Sequence, residues 1–70
     1  MEKQAKFWHG SKPKLCDLCK ASFKTIFYDA KTRQGPWGLL CRACFMEYGM
    51  GLGIGLGQSY DLETLKKTGG

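Results

Sequence analysis

Seventy residues with a formal net charge of +5, four cysteines and 43% hydrophobic content allow one domain with a marginal core, since a chain this short buries only about 60% of its unfolded surface. No run approaches the roughly 20 apolar residues of a membrane span, and the polar start Met1-Glu2-Lys3-Gln4-Ala5-Lys6 is not an export signal. The chain is therefore expected in a cytosol, with no membrane partner, where thiols stay reduced and paired cysteines act as metal ligands or redox groups.

Residues 1–14 read as a basic flexible arm. Gly10, Ser11 and Pro13 interrupt regular structure there, and the pair Phe7-Trp8 either folds back over a small core or faces solvent. Residues 1–24 carry six lysines against Glu2 and Asp17, so most of the positive charge belongs to the first third of the chain. Residues 15–60 read as the metal-binding domain, beginning with the knuckle Leu15-Cys16-Asp17-Leu18-Cys19-Lys20. Residues 22–28 are aromatic and β-branched, which predicts a strand. Asp29-Ala30-Lys31-Thr32 reads as a turn, Gly35-Pro36 as a second bend, and Trp37-Gly38-Leu39-Leu40 as a returning strand. Phe23 and Trp37 are expected in the core.

Cys41, Cys44, Phe45 and Tyr48 fall at i, i+3, i+4 and i+7, which predicts a helix over residues 41–48 with both cysteines on its inner face. Gly49 is expected to end it in a left-handed conformation. Residues 49–57 alternate glycine with Met50, Leu52, Ile54 and Leu56. Five glycines oppose a helix, and the period of two predicts an extended segment with the apolar side chains on one side. Residues 61–70 read as a short tail, in which Asp61 caps at most a helical turn.

The chemistry lies in two Cys-x2-Cys pairs separated by 21 residues. Cys16, Cys19, Cys41 and Cys44 supply four thiolates, the shell that holds one Zn2+ tetrahedrally. All four positions come from protein, so the shell has no open site for water or substrate, and a structural zinc rather than an enzyme is expected. Four thiolates around a zinc dication carry −2, which brings the loaded chain to about +3. Iron in the same shell and redox-active disulfides are the competing uses of these residues. His9, the single histidine, is expected at the surface.

The run Gly35-Pro36-Trp37-Gly38-Leu39-Leu40-Cys41-Arg42-Ala43-Cys44 resembles the second half of a GATA-type treble-clef zinc finger. This resemblance covers residues 15–48 and implies a small metal-stabilised α+β fold, treble-clef or zinc-ribbon-like, built of knuckle, β-hairpin, short helix and a Gly-rich extended C-terminal segment. The family's sequence-reading helix and basic tail have no counterpart after Tyr48. The chain is also similar to small uncharacterised zinc-finger proteins of tailed phages. The matching residues are Tyr28-Asp29-Ala30-Lys31-Thr32, Gly35-Pro36-Trp37, Gly51-Leu52-Gly53-Ile54-Gly55-Leu56-Gly57-Gln58 and Tyr60. That similarity implies a phage protein at work in a bacterial cytoplasm and implies no mechanism.

Two functions follow as expectations. The first is binding of DNA or RNA through a basic surface, with Lys12, Lys14, Lys20, Lys24, Arg33 and Arg42 as candidate phosphate contacts. The second is docking on a host or phage protein, as an adaptor or inhibitor, through backbone exposed at Gly51, Gly53, Gly55 and Gly57.

Overall fold

The computed structural model describes residues 7–70; the first six residues of the basic arm, with Lys3 and Lys6, lie outside the described residues. A first knuckle (residues 15–22) leads into strand β1 (Ile26–Lys31), β2 (Trp37–Leu40), helix α1 (Arg42–Tyr48), β3 (Gly57–Asp61) and β4 (Lys67–Gly69). Knuckle, hairpin and short helix follow one another as expected. The hairpin, however, belongs to a four-stranded antiparallel sheet ordered β2-β1-β3-β4.

The sheet corrects the local reading of the hairpin. Residues 22–25 lie before the strand: Ser22 bridges to Leu15 and the Phe23 amide donates to the Lys14 carbonyl at 3.0 Å. Asp29 is no turn residue. It sits mid-strand, opposite Leu39 on one side and Gln58 on the other. The turn falls at Thr32–Pro36, where the amide and hydroxyl of Thr32 both donate to the Pro36 carbonyl, at 2.9 and 2.8 Å. Gly35 takes φ +112 there, a conformation open to residues without a Cβ.

The core is small. Phe27 and Leu40 are fully buried, with Phe23, Tyr28, Ala30, Cys16 and Cys44 around them. On one side Trp8 meets Phe27 and Tyr60 edge-on, at centroid distances of 5.4 and 5.6 Å, and its amide donates to the Leu65 carbonyl. The arm's aromatic thus folds back over the sheet, while Phe7 stays exposed. On the other side α1 stacks Phe45 on Tyr28 at 4.1 Å. Trp37, expected in the core, is 47% exposed. It opens β2 opposite Lys31, at the end of the β1–β2 ladder.

Three further expectations change. Gly49 ends the helix in an extended conformation (φ −75, ψ 154) and not a left-handed one. Its glycine is required by proximity, since a Cβ would lie 2.6 Å from the Phe45 carbonyl oxygen. The Gly-rich segment is not extended. Gly51, Gly53 and Gly55 all have positive φ, and the chain closes a tight turn in which the Gly53 amide donates to the Gly57 carbonyl at 2.8 Å. Ile54 stands 98% exposed at the tip. Within residues 61–70, Asp61 ends β3 and Lys67–Gly69 return as β4. Asp61 Oδ1 caps the connecting turn by accepting from the amides of Glu63 and Thr64, at 2.8 and 3.0 Å. These bonds hold the Asp61 carboxyl below its ordinary value, with Lys12 contributing.

Close approach of backbones gives a direct test. A Cβ at Gly57 would lie 2.7 Å from the Ala30 Cβ and 2.9 Å from the Gly51 carbonyl oxygen, whereas one at Gly38 meets nothing nearer than 3.4 Å. Gly57→Ala is expected to destabilise the fold by about 1–3 kcal/mol and Gly38→Ala by no more than about 0.5 kcal/mol, both read from thermal unfolding of the metal-loaded protein.

Candidate metal centre

Each cysteine pair is placed by its own local device. In the first, the Cys16 amide donates to the Ala21 carbonyl at 2.9 Å and the Lys20 amide to the Cys16 carbonyl at 3.0 Å. This tight loop turns the side chains of Cys16 and Cys19 toward one point. It closes with Lys20 at φ +65, a left-handed conformation. In the second, Cys41 is the N-cap of α1, and its Sγ accepts from the Cys44 amide at 3.5 Å. The first helical turn then brings Cys44 back to the same side.

Asp17 joins the halves. Its amide donates to the Leu39 carbonyl and its Oδ2 accepts from the Leu39 amide, both at 2.8 Å. The first knuckle is thereby clamped along the outer edge of β2, two residues before Cys41. In the sequence Asp17 stands out only as one of two acidic residues in the first third of the chain. Its short side chain beside two cysteines is the signal that could have found it.

The four Sγ atoms lie within 4.8 Å of one another, with Cys19 and Cys41 at 3.7 Å. A tetrahedron with metal–sulfur bonds of about 2.3 Å has edges of about 3.8 Å. The cluster is thus tetrahedral-like and fits a single structural Zn2+. The leucine amide in the loop supports it, donating from Leu18 to the Cys16 Sγ at 3.4 Å. Cys16 and Cys44 are buried, Cys41 is half-buried and Cys19 is exposed. His9 is exposed and outside the cluster.

Electrostatics differ around the ring of sulfurs. Burial pushes the Cys16 thiol up, but the amides of Cys19, Cys41 and Leu18 outweigh it and bring the group down to about 6. Burial and the neighbouring sulfurs push Cys44 up to about 12. Four thiolates packed so closely repel one another, and a dication is the natural counter-charge.

The structure separates the six candidate basic contacts. Lys24 and Arg42 line one groove of about 350 Å³, together with Ala21, Ser22, Phe23, Thr25, Ile26, Cys41 and Ala43. Lys20 lies in the knuckle turn, Arg33 in the β1–β2 turn, Lys14 before the knuckle, and Lys12 near Asp61. A second hollow of about 370 Å³ beside the metal cluster is lined by Leu18, Cys19, Gln34, Cys44 and Tyr48. Of the candidate interaction glycines, Gly51, Gly53 and Gly55 lie in the tight loop. Gly57 is already paired with Ala30 inside the sheet. Among the described residues, no helix is long and apolar enough to cross a membrane. No protein-family model, curated protein or solved structure matches this chain.

The Asp17 clamp predicts a graded response. Asp17→Ala should lower stability by about 1 kcal/mol and weaken zinc retention against a chelator, because the knuckle loses its register on β2. Asp17→Asn keeps an acceptor oxygen and should retain most of both. Equal behaviour of the two variants would place the role of Asp17 elsewhere.

Proposed function

We propose that this protein is a structural-zinc module that binds nucleic acid through a basic surface. The observation that carries the proposal is the groove in which Lys24 and Arg42 face a common space, with no acidic residue among its lining. Two cations with no carboxylate among the described lining residues favour a phosphate-bearing partner, and the net charge of about +3 on the zinc-loaded chain draws polyanions over longer range. The metal serves here as scaffold. A four-sulfur shell leaves it no open position, so the proposal is for a binding unit and not an enzyme. Residues 15–48 are proposed as a treble-clef-like unit, supported by the sequence of knuckle, hairpin and helix with Cys41 as its cap. The resemblance to tailed-phage proteins supports a phage origin and a bacterial cytoplasm as the working compartment.

A second reading, docking on a host or phage protein, is favoured by one observation, the fully exposed Ile54 flanked by exposed Met50 and Leu52. It rests on side chains at a loop tip and no longer on an open glycine edge.

Salt dependence separates the two. Oligonucleotide affinity should fall steeply with salt, with a logarithmic slope of about 0.7 to 0.9 per phosphate contacted. Lys24→Ala and Arg42→Ala should each reduce that slope by about one contact. Absence of binding even at about 50 mM salt contradicts the nucleic-acid reading and leaves the protein-docking one.

A further inference from the structure

Resting on that nucleic-acid reading, we infer that the groove between residues 21–26 and the start of α1 holds one unpaired nucleotide, so that the partner is single-stranded nucleic acid and not a duplex. Three features point there.

The first is size. A groove of about 350 Å³ is at the small end of the range for pockets that enclose small ligands. It admits a base with its sugar and phosphate. A double helix does not enter it.

The second is lining. Lys24 and Arg42 supply charge for a phosphate, Ser22 a hydroxyl, and Ile26, Ala43 and the small exposed edge of Phe23 an apolar surface. Phosphate at the cations and a base against the apolar wall is how single strands are bound without readout of paired edges. A duplex keeps its bases stacked and offers only phosphate to such a site.

The third is the helix. α1 has seven residues, and its inner face is committed: Cys44 is buried at the metal cluster and Phe45 is stacked on Tyr28. The exposed positions are Arg42, Ala43, Met46, Glu47 and Tyr48. A major groove reached by this face would meet Glu47 as well as Arg42. Duplex reading through α1 is thus disfavoured by charge and by length, while the groove beside its start is free of acidic residues.

The test uses the zinc-loaded full chain and fluorescently labelled oligonucleotides of about twelve nucleotides. Four probes are titrated: a single-stranded DNA, the same sequence as RNA, and the duplex of each. The inference expects single strands of one or both chemistries to bind about ten-fold more tightly than the duplexes, and the DNA and RNA arms identify which sugar the groove takes. Ala43→Leu fills the groove without altering charge and should weaken single-strand binding about ten-fold, with zinc content and thermal unfolding unchanged. Thr25→Leu, which fills the groove from its other wall, is the replacement should Ala43→Leu lose its zinc. Arg33→Ala, in the hairpin turn and outside the groove lining, should change affinity less than Arg42→Ala. Equal binding of single strands and duplexes, or no effect of a folded groove-filling variant, overturns the inference while leaving a basic phosphate-binding surface intact. Absence of binding to all four probes overturns both.

Discussion

The convergence of four sulfurs on one point is the constraint on which the remainder of this small fold depends. Cys16 and Cys19 lie in a coil knuckle, and Cys41 and Cys44 in the first turn of a helix. No continuous hydrogen-bond ladder joins these elements. Among the described residues, the Asp17 clamp on Leu39, the Cys41 amide beside the Cys16 sulfur and the shared tetrahedral centre do so. The core cannot substitute for them. Two of the seven buried apolar residues among those described, Cys16 and Cys44, belong to the metal cluster themselves. Without a counter-ion the half-buried cluster must either crowd thiolates together or hold protons, as Cys44 is disposed to do, and binding of a metal at this point contributes folding free energy.

With the knuckle anchored, other features follow. Leu40 is buried as the chain passes from β2 toward Cys41, and the helix that begins there delivers Phe45 onto Tyr28. Among the described residues no helix covers the opposite face, and Trp8 from the arm takes that role over Phe27 and Tyr60. The Gly-rich loop links the end of α1 to β3 by a turn that residues bearing a Cβ would adopt only with strain. The same framework leaves the start of α1 beside residues 21–26, where Lys24 and Arg42 come together.

The metal ligands, the knuckle and the helix were legible in the sequence because each is encoded locally, by spacing of two between cysteines and by the i, i+3, i+4, i+7 pattern. The strand register was not. Asp29 has the local preference of a turn residue, yet β1 is a central strand whose second neighbour, β3, comes from some thirty residues later. No local pattern announces that pairing. The alternation in residues 49–57 is compatible with a strand, but φ values of +113 at Gly51 and +136 at Gly53, which strain any residue with a Cβ, make it a loop. Trp37 was misplaced for a related reason. Its size argues for burial, and its position at the end of the ladder decides against it. The joint lining of one groove by Lys24 and Arg42, eighteen residues apart in sequence, is a product of the metal-centred fold and is invisible without it.

The central claim, that one tetrahedral metal holds this fold together, is tested most directly by recording the amide NMR spectrum of the protein while zinc is withdrawn by a chelator and then restored under reducing conditions. The account predicts one zinc per chain, loss of resonance dispersion across both the knuckle and the sheet as the metal leaves, and recovery when it returns. A spectrum that stays dispersed in the metal-free, reduced protein would contradict it, and would show that the sheet and its aromatic core stand without the four-sulfur centre.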